Sequence, residues 1–146
     1  MFTKAIKPAN GPKAIGPYSP AVKLGDFVYL SGQIPVDPVT NDLVQGDIRK
    51  QTHQVMQNII TILDEMGLET RHVVKTTVFL TDMGNFAAMN EVYAQYFDDP
   101  YPARSCVQVG ALPKGAEVEI ECLVIDTLRY EQQSCSENCS GCQGCD

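Results

Sequence analysis

The sequence predicts one α+β domain with a mixed sheet and two helices on one face of that sheet. Two amphipathic helical segments alternate with five short segments rich in β-branched and aromatic residues. Their order is ββαβαββ, in which each helix connects two strands. A chain of 146 residues, 44% hydrophobic and 20% charged, is long enough for one domain and too short for two ordinary ones.

The first two strands form a predicted hairpin. Residues 21–24 (AVKL) and residues 27–34 (FVYLSGQI) are rich in strand-forming residues and flank the turn signal Gly25-Asp26. A loop rich in Pro, Asn and Asp follows the hairpin and separates it from the first helix.

The first helix is predicted from apolar residues that recur at helical spacing between Ile48 and Met66. Asp47 stands where a side chain can cap the helix start, and Gly67 stands where a glycine commonly ends a helix. One face of this helix is therefore expected to be buried.

The second half of the domain contains three predicted strands and one helix. Residues 73–80 (VVKTTVFL) form a strand, and a second helix begins after Asp82 and ends at 98–100, where a proline stops it. Residues 103–110 and 117–126 form the last two strands. An aromatic stripe on the second helix is expected to be core: Phe86, Met89, Tyr93, Tyr96 and Phe97.

Alternation in the last strand predicts a sheet face that the helices leave open. Val118, Ile120, Cys122 and Val124 form the set expected under the helices, so Glu119, Glu121, Leu123 and Ile125 point the opposite way. In the preceding strand we assign Arg104, Cys106 and Gln108 to the same side as the glutamates. A face with both aliphatic and charged residues is typical of a subunit interface, where Arg104 and Glu119 are expected to share a cleft.

Five ordered blocks of the chain resemble the Rid family, also called the YjgF family, and most closely its RidA branch. Together the blocks run from about residue 6 to residue 127. They are IGPYSPAV (15–22), LSGQIPVD (30–37), VVKTTVFLTDM (73–83), FAAMNEVYAQYF (86–97) and PARSCVQVGALPKGAEVEIE (102–121).

The resemblance implies a homotrimer of chorismate-mutase-like subunits with clefts between neighbouring subunits. Its RidA branch implies hydrolysis of 2-imino acids, and of the 2-aminoacrylate and 2-aminocrotonate enamines that precede them, to 2-keto acids and ammonia without a metal or organic cofactor. Carried over by position, the family's functional residues are Tyr18, Ser31, Gly32, Arg104, Cys106 and Glu119.

The chemistry of two of these residues suits an imino acid. The Arg104 guanidinium can grip a carboxylate through two parallel hydrogen bonds, and the Glu119 carboxylate can hold water and relay a proton. Without the resemblance, the two would be read as an interface ion pair. A trimer that binds small carboxylates such as 2-keto acids without turnover is the alternative function.

The other candidates also have structural interpretations. Cys106 can be a small packed residue, since no histidine stands in its motif, and Tyr18 can cap a loop through its hydroxyl group. Gly32 can serve only to let other groups approach the backbone. His53 and His72 are expected to be solvated and not catalytic.

Charge and composition bear on partners and location. The formal net charge is −7, and the 11 Lys and Arg residues are scattered along the chain. Binding to nucleic acids or to anionic lipids relies on clustered Lys and Arg, so we expect neither partner, and RNA-directed activity is disfavoured. The N-terminus lacks a secretion-signal pattern and no segment is long enough to cross a bilayer, which predicts a cytoplasmic protein.

A change in composition near Tyr130 divides the chain into a domain, residues 1–130, and a Cys-rich tail, residues 131–146. The tail has no large apolar residue, so it is not expected to contribute to the core. It is also a departure from the family pattern. Its four cysteines have the spacing C-x₃-C-x₂-C-x₂-C, in which four thiolates can surround zinc or an iron–sulfur cluster: Cys135, Cys139, Cys142 and Cys145. A thiol-rich appendage without a fixed partner is the alternative.

Overall fold

A computed structural model of the chain describes residues 2–139, with side chains up to residue 134. Six strands form one sheet: β1 (Thr3–Ile6), β2 (Ala21–Leu24), β3 (Phe27–Gln33), β4 (Val73–Leu80), β5 (Ala103–Gln108) and β6 (Val118–Ile125). Their order across the sheet is β1-β2-β3-β6-β4-β5. All neighbours are antiparallel except β4 and β5, which are parallel, so the prediction of a mixed sheet is confirmed.

Three helices accompany the sheet: α1 (Ile48–Glu65), α2 (Phe86–Tyr93) and α3 (Leu128–Cys139). The Asp47 side chain accepts a hydrogen bond from the backbone N–H of Lys50 at 3.1 Å, which confirms the predicted cap of α1. Gly67, just beyond the end of α1, has a φ of +69°, a conformation that favours glycine. Residues of α1 and α2 share one core with β4 and β6, which places both helices on the same face of the sheet.

One strand and one helix end differ from the prediction. β1 was not predicted, because it has four residues of which only Ile6 is buried, too few to show a period. It pairs with β2 at the edge of the sheet. The second helix ends at Tyr93 and not at 98–100, although Phe97 beyond it is still buried in the core. Burial of the aromatic stripe therefore continues past the end of the helical hydrogen bonds.

The helix α3 was not predicted either, because its sequence is almost entirely polar. Its first turns contact the domain through charged groups. Arg71 Nη1 donates to Glu131 Oε1 at 2.7 Å, and Arg129 Nη2 donates to Asp26 Oδ2 at 2.7 Å. α3 therefore spans the boundary proposed at Tyr130, and that boundary stays a prediction.

Part of the Cys-rich tail lies outside the described residues. α3 includes the backbone of Cys135 and Cys139, whose side chains are not described, and Cys142 and Cys145 lie beyond residue 139. The metal hypothesis for this tail stays a prediction. None of the helices within residues 2–139 has the length and apolar character needed to span a membrane. The cytoplasmic location stays a prediction.

The predicted alternation of β6 is confirmed. Its helix-facing residues are at most 5% exposed: Val118, Ile120, Cys122 and Val124. The opposite face, which we call the open face, carries Glu119, Glu121, Leu123 and Ile125 of β6. By strand register, it also carries four apolar side chains that are 43–53% exposed: Leu24, Phe27, Tyr29 and Val107.

The face assigned to Arg104 and Cys106 was wrong. In the parallel register, Arg104 lies beside Thr76 and Cys106 lies beside Val78. Thr76, Val78 and Leu80, which pairs with Gln108, are buried under the helices. Arg104, Cys106 and Gln108 therefore lie on the helix face and not on the open face with Glu119. The sequence of β5 alternates small and polar residues without a clear apolar side, and only its pairing with β4 decides which set faces the helices.

Candidate active site

Four of the six predicted site residues line one cleft, which we call the β3–β6 cleft. Its volume is about 340 Å³, and its walls are formed by Ile15, Tyr18, Ser31, Gly32, Ile34, Pro113 and Glu119. Arg104 and Cys106 do not line this cleft within the same chain. The structure therefore brings together Tyr18, Ser31, Gly32 and Glu119 and separates them from the other two.

An irregularity in β3 forms the floor of the cleft. The register of β3 against β6 shifts between Leu30 and Gln33, so Ser31 and Gly32 occupy a bulge in the strand. The Ser31 backbone N–H donates to the carbonyl of Pro20 at 3.0 Å, and its hydroxyl group donates to the carbonyl of Ser19 at 2.6 Å. These two hydrogen bonds hold the loop that carries Tyr18 against β3.

The Tyr18 side chain lies at the wall of the cleft and is 49% exposed. Its hydroxyl oxygen accepts a hydrogen bond from the backbone N–H of Ile15 at 3.4 Å. The loop-capping interpretation of Tyr18 is therefore seen in the structure. The exposed ring also leaves Tyr18 available to a ligand in the cleft.

Gly32 is required by the position of the Glu119 carboxylate. A Cβ atom on residue 32 would lie 2.0 Å from Glu119 Oε1 and 2.8 Å from the carboxyl carbon. Real Cβ atoms do not approach other heavy atoms this closely, so any larger residue would displace the carboxylate or the backbone of the bulge. The interpretation of Gly32 as a point of close approach is correct, and the approaching group is Glu119.

The environment of Glu119 favours a carboxyl group that exchanges protons. Burial raises the pKa of Glu119 above its ordinary value, and the nearby charge of Glu121 raises it further. Within residues 2–134, no Lys or Arg side chain forms an ion pair with Glu119. A half-buried carboxyl group with a raised pKa is a typical general acid or base.

Arg104 of β5 lies at the other face of the sheet, where it contacts three side chains of α2: Phe86, Asn90 and Tyr93. Arg104 Nη1 donates to Asn90 Oδ1 at 2.6 Å. The guanidinium carbon lies 4.9 Å from the centre of the Tyr93 ring and 5.5 Å from that of Phe86. No carboxylate among the described side chains pairs with Arg104, so the rest of its N–H groups can receive an anionic ligand.

Sequence reasoning missed the side of α2 that contacts Arg104. The stripe was assigned to the core, but Phe86 is 37% exposed and contacts Arg104, and Asn90 was not singled out. The signal that could have found them is spacing: residues 86, 90 and 93 recur at intervals of four and three and therefore share one face of a helix. Only the pairing of β5 with β4 shows that this face meets Arg104.

Cys106 and the histidines have structural positions. Cys106 packs against the core, and burial raises the pKa of its thiol, which favours the protonated form. His53 Nδ1 lies 2.7 Å from the Tyr96 hydroxyl oxygen. His72 is only 4% exposed, so the expectation that it is solvated was wrong. Its Nδ1 accepts the backbone N–H of Glu69, which holds the ring inside the domain.

The match to known proteins covers most of the domain. A family model described as Endoribonuclease L-PSP matches residues 8–126. The chain belongs to the Rid (YjgF) family. The match to this Rid family model ends two residues before α3, so the helix and the Cys-rich tail lie beyond it.

Individual Rid relatives agree with this assignment. The human 2-iminobutanoate/2-iminopropanoate deaminase is 44% identical over 86% of this chain and 91% of the relative. The crystal structure of RidA from the Antarctic bacterium Psychrobacter sp. has a TM-score of 0.80 at 46% identity, over 84% of this chain and 98% of that one.

Escherichia coli TdcF with bound serine has a TM-score of 0.79 at 44% identity, over the same shares of the two chains. Other relatives carry the name RutC family protein, as in Pyrococcus horikoshii. The Rid fold and family are thus established, while the names of the relatives differ in what they say about activity.

Proposed function

We propose that the chain hydrolyses 2-imino acids, formed from enamines such as 2-aminoacrylate and 2-aminocrotonate, to 2-keto acids and ammonia. The observation that carries this proposal is the Glu119 carboxyl group, which lies against Gly32 in the β3–β6 cleft with a raised pKa. Such a group can accept a proton and return it during a reaction. The name of the human relative supports the same reaction.

The reaction needs one water molecule and two proton transfers. The oxygen of water adds to the imine carbon while the π electrons of the C=N bond move to nitrogen, which is protonated. The C–N bond then breaks, ammonia leaves, and the carbonyl group of the keto acid forms. In our proposal Glu119 takes one proton from the attacking water and returns it to nitrogen, which gives a carbinolamine. It then takes the hydroxyl proton of the carbinolamine and passes it to the same nitrogen as the C–N bond breaks, so both protons of water leave with ammonia. Positioned acid–base catalysis typically contributes ~10²–10⁴-fold, enough for imines, which already hydrolyse in water. The family resemblance implies that no metal or organic cofactor takes part.

In this proposal, Arg104 binds the substrate carboxylate. A guanidinium offers five N–H groups in a planar arrangement that matches the two oxygens of a carboxylate. Asn90 accepts one of these N–H groups and thereby orients the others. An imino acid held by its carboxylate presents the adjacent C=N carbon at a fixed distance from the guanidinium, which favours attack by a positioned water molecule.

The two halves of this proposed site come from two copies of the chain. Arg104 and Glu119 lie on opposite faces of the sheet, so a substrate of three or four carbons cannot contact both within one chain. β5, which carries Arg104, is an edge strand that a second copy can reach. If the open face of one copy packs at the β5 edge of the next, Arg104 of one faces the β3–β6 cleft of the other. Such a head-to-tail contact closes into a ring, and three copies give three equal clefts.

Light scattering at micromolar concentration is expected to give three times the chain mass of 16.0 kDa. The reason is the open face, whose apolar side chains a soluble monomer does not normally leave in water. Tyr29→Glu, which places a charge on that face, is expected to yield monomers without activity. Val39→Glu is the matched control, because Val39 is 91% exposed on a loop outside the open face. The Val39→Glu protein should remain trimeric. A wild-type monomer would contradict both the trimer and the shared clefts.

The assay for the proposed reaction supplies 2-aminoacrylate from a serine dehydratase and follows release of pyruvate with and without the protein. Faster release with the protein supports hydrolysis, and a panel of amino-acid-derived imines then gives the preference. Unchanged release would contradict it.

A trimer that binds small carboxylates without turnover is the second candidate. TdcF with bound serine, a relative carrying a small amino acid, favours it. Unchanged pyruvate release together with binding of pyruvate in calorimetry would support this candidate. The name of the family model points to RNA cleavage, which the net charge of −7 disfavours.

Removal of residues 135–146 is expected to leave assembly and imine hydrolysis unchanged and to remove any bound zinc or iron. Glu119 lies near the start of β6 and α3 follows the other end, roughly 20 Å away at ~3.3 Å per residue. Elemental analysis of protein purified without oxygen, before and after the cut, measures the metal. A loss of hydrolysis would show that the tail is not an independent addition.

A second cut, after Tyr130, is the control for the role of α3. It also removes Glu131, whose pKa is lowered to about 2. The largest cause is the hydrogen bond that Arg71 donates to the carboxylate, and Thr127 donates a second one. This cut is expected to lower the melting temperature at neutral pH, where the carboxylate is charged, without changing the turnover of the folded trimer.

A further inference from the structure

We infer that Tyr93, held by Thr76, is a positioning residue that orients the Arg104 guanidinium for the substrate carboxylate. The inference rests on the proposed function, in which Arg104 binds that carboxylate. Tyr93 itself does not line the β3–β6 cleft. Its role is to act through Arg104.

The first step is the contact between the ring and the cation. The guanidinium carbon of Arg104 lies over the Tyr93 ring at 4.9 Å from its centre, within the range of a cation–π interaction. Contact with a ring face uses no hydrogen-bond donor of the guanidinium. The ring therefore restricts the position of the group while its N–H groups stay available for Asn90 and for a carboxylate.

The second step is the hydrogen bond that holds the ring. The Tyr93 hydroxyl oxygen lies 2.8 Å from Thr76 Oγ1, and both residues are at most 5% exposed. The Tyr93 ring also packs against Phe97, with 4.7 Å between ring centres. A ring that is packed on one side and hydrogen-bonded at its far end has one orientation available in the core.

The third step is the strand register. Thr76 of β4 lies beside Arg104 of β5. The same pair of residues is thus joined twice, by strand pairing and through the Thr76–Tyr93–Arg104 side chains. This closed path links the orientation of the guanidinium to the backbone from which it extends.

A purely structural role explains this arrangement less well. A phenylalanine at position 93 would pack against Phe97 without burying a hydroxyl group that needs a partner. The buried hydroxyl pair specifies an orientation, and the group that lies over the oriented ring is Arg104. Burial also raises the pKa of Tyr93, so the ring stays neutral at physiological pH.

The test measures kcat and KM of imine hydrolysis for Tyr93→Leu, Tyr93→Phe and Thr76→Val. We expect Tyr93→Leu to raise KM by roughly 3- to 30-fold, the range of one cation–π contact, with a smaller change in kcat. Tyr93→Phe, which keeps the ring, and Thr76→Val, which removes the hydrogen bond, should each raise KM by a few-fold. Tyr96→Leu is the matched control, because Tyr96 belongs to the same stripe but bonds to His53 and does not contact Arg104.

A double-mutant cycle separates positioning from stability. In an Arg104→Gln background, Tyr93→Leu is expected to cause little further loss of kcat/KM, because the group that it positions is gone. Equal losses in the two backgrounds, or losses that follow the melting temperature alone, would overturn the inference and leave Tyr93 as a core residue.

The binding of pyruvate distinguishes this inference from the proposed function. If the wild type releases no keto acid from imines, the proposed function fails, and the same cycle is run on the Kd of pyruvate in calorimetry. Weaker pyruvate binding in Tyr93→Leu, absent in the Arg104→Gln background, would still support positioning. A wild type that neither hydrolyses imines nor binds pyruvate would overturn both.

Discussion

Arg104→Lys is expected to lower kcat/KM for imine hydrolysis by roughly 10- to 100-fold, the effect of losing a charge-assisted hydrogen bond. Lysine keeps the positive charge, but it has no planar group to donate to Asn90 and to both carboxylate oxygens in a defined geometry. It also loses the broad contact with the Tyr93 ring. The measurement is steady-state kinetics with 2-aminoacrylate, together with light scattering to verify that the trimer is intact.

Arg129→Lys is the matched control for this prediction. Arg129 pairs with Asp26 at the base of α3, on a surface that takes no part in the proposed reaction. Its replacement should leave kcat and KM unchanged. Full activity in Arg104→Lys would show that Arg104 does not bind the carboxylate, and a simple interface ion pair would then explain the residue.

Glu119→Gln is expected to lower kcat by ~10²–10⁴-fold, the range of positioned acid–base catalysis, while a 2-keto acid still binds. Glutamine has nearly the same shape, so it fits above Gly32, but it cannot accept the proton of water. Gly32→Ala should also lower kcat, because the added Cβ displaces the carboxylate. Stopped-flow release of pyruvate and calorimetry with pyruvate measure the two properties separately. A Glu119→Gln protein with wild-type turnover would refute the role of Glu119.

Glu121→Gln is the control for the charge near Glu119. The pKa of Glu119 is raised by burial and then by Glu121, so a base at this position loses activity as the pH falls through the raised value. Without the charge of Glu121 the pKa of Glu119 falls, and the acidic limb of the pH–rate profile should move to lower pH. Turnover at neutral pH should be retained.

The α1 helix and the alternation of β6 could be predicted because their patterns are local and complete. Asp47 and Gly67 mark the ends of α1 through hydrogen bonds and a backbone conformation that involve only neighbouring residues. In β6, four apolar residues at every second position leave no doubt about which set is buried. Elements with weak patterns, such as the edge strand β1 and the polar helix α3, were not predicted.

Only part of the candidate site could be predicted by the same reasoning. The family resemblance placed Tyr18, Ser31, Gly32 and Glu119 in one site, and the structure brings these four together in one cleft. The resemblance did not reveal why residue 32 must be small, because the close approach of Glu119 to Gly32 occurs between two paired strands and is a tertiary contact. The partners of Arg104 on α2 were missed for the same reason.

By itself, the sequence determined which residues share a face within each strand, because the side chains of a strand alternate with a period of two whatever surrounds it. It determined that Arg104 and Cys106 point the same way. It could not determine which way, because β5 has no apolar set and its orientation depends on the parallel register with β4. Only the tertiary structure placed Arg104 beneath α2 and away from Glu119, since strand pairing and helix packing, and not local propensity, decide which face of an edge strand is buried.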